Sequence, residues 1–89
     1  MQCQIFKYII SQGEQIIDMP RGAKLLSIAE QRNNIVLYAL VDPTNPIAKR
    51  RILVVGTGWG FSVNIEKFIG TVNLVDGELM FHVFDGFEQ

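Results

Sequence analysis

Asp76-Gly77 sits between two alternating runs, FIGTVNLV and ELMFHVF. No other feature restricts the fold of this chain as much. Asp-Gly is favoured at the two central positions of a type I′ turn, where both residues take positive φ. With Val75 and Glu78 as the outer turn positions, the register of the flanking strands follows. Leu74 faces Leu79, Val72 faces Phe81 and Gly70 faces Val83 on one side, the core side. On the other, Asn73 faces Met80 and Thr71 faces His82. A slip of one residue would exchange the two sides, so turn chemistry and hydrophobic pattern independently give the same hairpin. Gly70 opposite Val83 leaves room for another element to approach closely.

The rest of the chain also reads as strand. Gln4 to Ile10 places Phe6, Tyr8 and Ile10 on one face and Ile5, Lys7 and Ile9 on the other. Ser11-Gln12-Gly13 reads as a turn, with Glu14 to Asp18 as the return leg of a hairpin. Pro20-Arg21-Gly22 interrupts the ladder. Leu25 to Glu30 is a third strand, and Arg32-Asn33-Asn34 is a tight turn. Ile35 to Val41 is apolar on both faces, which predicts a central strand. Asp42 to Pro46, with two prolines, is a loop, and Asp42 is expected to bond following backbone groups there. Lys49 to Val55 is a fifth strand. Ser62 to Lys67 is compatible with one helical turn capped by Ser62. The sum is an all-β domain spanning 1–89. It has about seven short antiparallel strands in a small sandwich or partly open barrel, with at most one short helical turn.

Composition narrows the function. A hydrophobic share of 48% is globular rather than disordered. An 89-residue domain has little interior, so a homo-oligomer is expected to bury more. A net charge of −1 argues against duplex DNA as a partner. One cysteine, Cys3, and one histidine, His82, rule out an intramolecular disulfide and a paired-Cys or His-rich metal site within one chain. No metal or cofactor is expected. No apolar run approaches the roughly 20 residues that span a bilayer. The opening MQCQIFKYIISQGEQ lacks the pattern of a signal peptide. The expectation is a cytoplasmic protein without a membrane partner.

The candidate site is the run Arg50-Arg51-Ile52-Leu53-Val54-Val55 feeding Gly56-Thr57-Gly58-Trp59-Gly60. A glycine-rich loop after a strand can aim backbone N–H groups at a phosphate, and arginines can add charge-assisted bonds. The candidate ligand-binding residues are therefore Arg50, Arg51, Gly56, Thr57, Gly58 and Trp59. The pattern is neither a P-loop nor a dinucleotide fingerprint, so a plain turn remains the competing reading. Arg50 and Arg51 point in opposite directions along a strand, and the sequence does not say which faces inward. Trp59 either stacks on a base or partner or folds back as a lid on the core. For His82 the sequence shows neither an orienting partner nor a nucleophile, so no catalytic residue is assigned.

The segments PRGAKLLSI, LYALVDP, RRILVVGTG, FIGTVNL and LMFHVF, in that order, resemble a widespread set of small proteins of unknown function. That set is found in bacteriophages, prophages and their bacterial hosts. The resemblance begins at FKYII and covers nearly the whole chain. Its most specific pieces are Ala39 to Pro43, Arg50 to Gly58 and Phe81 to Phe84. The set carries His after GTG, where this chain has Trp59. The resemblance implies a phage-like origin, hence a host cytoplasm, and carries over no site residues. Three readings follow. The first is a non-enzymatic anti-defence protein sequestering an anionic, nucleotide-like small molecule. The second is an inhibitor or adaptor that binds a host protein through a sheet edge or apolar patch. The third, ranked last, is a small hydrolase.

Overall fold

The computed structural model describes residues 2–62, 67–75 and 77–88. Seven strands form two antiparallel sheets: β1 (Gln4–Ile10), β2 (Gly13–Pro20), β3 (Lys24–Gln31), β4 (Asn34–Val41), β5 (Ile47–Gly56), β6 (Lys67–Leu74) and β7 (Leu79–Glu88). One sheet has the order β1-β4-β3, the other β2-β5-β7-β6. The domain is all-β, as its alternating runs and turns predict. The helical turn expected over Ser62 to Lys67 falls largely outside the described residues, and so does the Asp76 half of the last turn.

The final hairpin keeps the expected register at every pair from Gly70↔Val83 to Leu74↔Leu79. β3 and β4 form a second hairpin, in which Arg32 and Asn33 both take positive φ, 52° and 64°. β4 is central, as its two apolar faces require. The expected hairpin of β1 with β2 does not form. β1 pairs with β4 and β2 with β5. Gln15 turns its amide back onto the Ser11 backbone, and Gly13 takes φ 97°. Together they make Ser11-Gln12 a corner between layers. The apolar sides of the two strands then face the same core from opposite sheets, which buries both.

That core joins Ile10, Leu37, Ala39 and Val41 of one sheet to Met19, Ile52, Val54, Phe81 and Val83 of the other. On the side where β3 meets β6 the sheets approach closely. A Cβ on Gly70 would lie 3.2 Å from Ile28 Cγ1, which is the close approach expected at this glycine. Val75 N–H donates to Asn33 Oδ1 at 2.8 Å and ties the two hairpin turns together.

Candidate functional site

β5 carries Arg50, Arg51 and Gly56 of the six candidate residues, with Thr57, Gly58 and Trp59 in the loop that follows. Ile52 and Val54 are fully buried in the core, so Arg50 points inward and Arg51 and Thr57 point outward. Arg50 is buried at one end of the sandwich. Its Nε and one terminal nitrogen donate to the Asp85 oxygens at 2.9 and 2.7 Å, and the other donates to Ala23 O at 2.8 Å. A β-bulge in β7 makes this pair possible. Asp85 pairs with Ile52 and Glu88 with Arg50, so Gly86 and Phe87 together oppose Arg51. Phe87 takes φ 68° and donates its N–H to Asp85 Oδ1 at 2.8 Å. Burial is the largest influence on Asp85 and pushes its carboxyl up. The Arg50 hydrogen bonds, the Phe87 N–H and the charges of Arg50 and Lys67 together outweigh it and hold the carboxyl below the usual range. The Asp85 hydrogen bond raises Arg50 in turn.

The glycine loop is a turn. Trp59 N–H donates to Gly56 O at 3.1 Å, and Gly58 takes φ 85°, the arrangement of a type II turn. Thr57 N–H donates to Met80 O at 3.3 Å. Two loop donors are thus already engaged. Trp59 folds back. Its ring lies over Gly56, where a Cβ would come within 2.6 Å of Cε2, and it meets Phe81 edge-on at 5.8 Å. A cleft of about 170 Å³ remains beside the loop, with Glu78 in its wall. The structure therefore brings Gly56, Thr57, Gly58 and Trp59 together but places both arginines elsewhere. Six residues of strand, roughly 20 Å, separate Arg50 from Gly56.

A different grouping emerges on the outer face of the four-stranded sheet. Leu53 pairs with Phe84 and Val55 with His82. Both aliphatic side chains point away from the core and are nevertheless buried. Phe84 has Phe61 at 5.8 Å and Phe68 at 5.4 Å between ring centroids. Phe61 and Phe68 are each about half exposed. Beside this cluster, Thr57 Oγ1 lies 2.7 Å from His82 Nε2 and Thr71 Oγ1 lies 2.9 Å from Nδ1. His82 therefore has, besides the Thr71 expected across from it, a second hydroxyl partner in Thr57 that the sequence did not reveal. A neutral imidazole donates through one nitrogen and accepts through the other, so one threonine accepts and the other donates. On the opposite flank Arg51 crosses Gly86 and brings Nε 3.0 Å from Glu14 Oε1, without the alignment of a hydrogen bond. The arrangement is an aromatic centre between two polar margins.

Phe84 and His82 were legible as outward residues from the hairpin register. The Phe68 contact was not. Continuing that register would set Ile69 against Phe84, but a bulge between Phe68 and Gly70 brings Phe68 there instead. Among the described residues no group of three His, Cys, Asp or Glu side chains could hold a metal ion. No helix among them is long and apolar enough to cross a membrane.

No curated protein and no solved structure matches the chain. The family model described as "Domain of unknown function (DUF7352)" matches residues 1–89, and the chain belongs to that family.

Proposed function

We propose that this chain is a small non-enzymatic binding module that docks a partner protein on the outer face of β5, β7 and β6. The Phe61–Phe84–Phe68 cluster carries this reading. Half-exposed aromatic anchors within a polar margin are how protein interfaces concentrate their binding energy. A sheet face lacks the concavity in which small molecules bury most of their surface. The exposed parts of three phenylalanines amount to a few hundred Å² at most. A standard interface takes about 800 Å² from each partner, so the cluster is the anchor of a wider contact. The likeness of ALVDP, RRILVVGTG and FHVF to phage and prophage proteins supports a host protein as the partner and a role against host defence.

A nucleotide-like ligand at the glycine loop has less support. Arg50 is neutralised by Asp85, Thr57 and Trp59 already donate their N–H groups, and Glu78 lines the neighbouring cleft. The Thr57–His82–Thr71 chain has the parts of a nucleophile and a base. The same engaged N–H groups leave it without those two donors for an oxyanion.

The test compares the wild-type protein with Phe61→Asp as bait in bacterial lysate, followed by titration of the recovered partner in purified form. One partner at fixed stoichiometry, bound at least tenfold more weakly by the variant, is expected. Equal binding by Phe61→Asp overturns the docking face. A turnover screen whose product disappears in His82→Ala overturns the non-enzymatic reading.

A further inference from the structure

A second site adjoins the aromatic cluster at Phe68, where the edge strands β3 and β6 run past each other. Each strand carries a β-bulge there. The β3 register shifts between Leu25 and Ser27, and the β6 register between Phe68 and Gly70. The extra residues, Leu26 and Ile69, have no partner in either ladder, and both line a groove of about 320 Å³. Bulges bend a strand and re-aim its side chains, and they are enriched at sheet edges and beside functional sites. Two of them facing one another open a groove between strands that meet closely just beyond, at Gly70 and Ile28.

The groove has a charge and a flat wall. Lys24 stands on its β3 side, Lys67 and Phe68 on its β6 side, and Asp85 of β7, opposite Lys67, also lines it. Asp85 is hydrogen-bonded to two Arg50 donors and the Phe87 N–H, so its strongest partner is Arg50, and Lys67 acts on it only through its charge. Among the described residues neither Lys24 nor Lys67 makes an ion pair, whereas Lys49, Arg50 and Arg51 each do. Phe68 presents about half of its surface to solvent. The volume is at the lower end of the range for small-ligand sites.

We propose that this groove binds a nucleoside monophosphate: a planar base against Phe68, its phosphate between Lys24 and Lys67. Stacking on one aromatic ring and two charge-assisted contacts divide the recognition between ring and anion. The groove shares Phe68 with the docking cluster but not Phe61, and the cluster does not include Lys24 or Lys67, so Phe61→Asp and the lysine variants test the two readings separately.

Calorimetric titration of the full chain with AMP, GMP, CMP, UMP, adenosine and inorganic phosphate tests it. At least one nucleoside monophosphate is expected to bind about tenfold or more tightly than phosphate, and adenosine more weakly than AMP. Rising salt is expected to lower the affinity. Lys24→Gln with Lys67→Gln is expected to reduce nucleotide affinity at least tenfold while leaving the melting temperature in place. Phe68→Leu is expected to bring nucleotide affinity down toward that of phosphate. Absence of binding by all four nucleotides overturns the proposal. Binding unchanged in the double lysine variant overturns the site, and equal affinity for phosphate and nucleotide overturns the role of the ring.

Discussion

Arg50 and Asp85 form a buried pair whose two members depend on each other more than the fold depends on the pair. Removing one partner leaves an uncompensated charge in the interior, whereas replacing both with apolar side chains does not. Asp85→Asn or Arg50→Met is therefore expected to lower stability by about 3–5 kcal/mol in urea denaturation, and Arg50→Met with Asp85→Leu by much less. The pair also sets an acid limit. Asp85 titrates below its unfolded value, so its contribution is complete above the ordinary aspartate range, near about 4. It is lost as pH falls through the depressed folded-state value. The wild-type stability profile should fall in that window more steeply than that of Asp85→Asn. Trp59 offers a second readout, since it is the chain's single tryptophan. Gly56→Ala places a Cβ 2.6 Å from its ring. The indole must move off Phe81 into water, and its emission should shift to longer wavelength.

The strands show what a pattern reveals and what it conceals. Local alternation and turn chemistry are written within a few residues, so the hairpins at Arg32-Asn33 and around Gly77, and the central place of Ile35 to Val41, could be read directly. Whether β1 lies beside β2 or across from it could not. Phe6, Tyr8 and Ile10 need an apolar cover in either arrangement, and the choice is made by a corner at Gln15 and Gly13. Bulges hide for a related reason, because one unpaired residue leaves no mark in composition. Leu26, Ile69 and the Gly86-Phe87 pair each shift a register that alternation alone would carry straight through. Those shifts decide the candidate sites: one turns Phe68 outward, another delivers Asp85 to Arg50, and two open the lysine groove. The contact between Gly70 and Ile28 can be tested at the same scale. Gly70→Val should cost about 1–3 kcal/mol by overpacking, and Ile28→Ala in the same chain should recover part of that loss in thermal unfolding.

Among the described residues, only β3–β4 and β6–β7 pair as sequence neighbours; the other three pairings join strands that are not consecutive. Closing such loops costs entropy before any contact rewards it, so refolding is expected in milliseconds to seconds when followed by Trp59 fluorescence. The accessible surface of 5547 Å² is close to the roughly 5300 Å² of a monomeric chain of this mass. One copy thus closes its core to the usual degree.

β7 follows the other six strands and lies in the interior of its sheet, between β5 and β6. During synthesis it is made after all of them. Until residues 79–88 leave the ribosome, β6 has no neighbour to pair with, β5 lacks one of its two, and Arg50 waits without its carboxylate. The β1-β4-β3 sheet and the β2–β5 ladder can form earlier, but the four-stranded sheet closes only after translation has delivered β7.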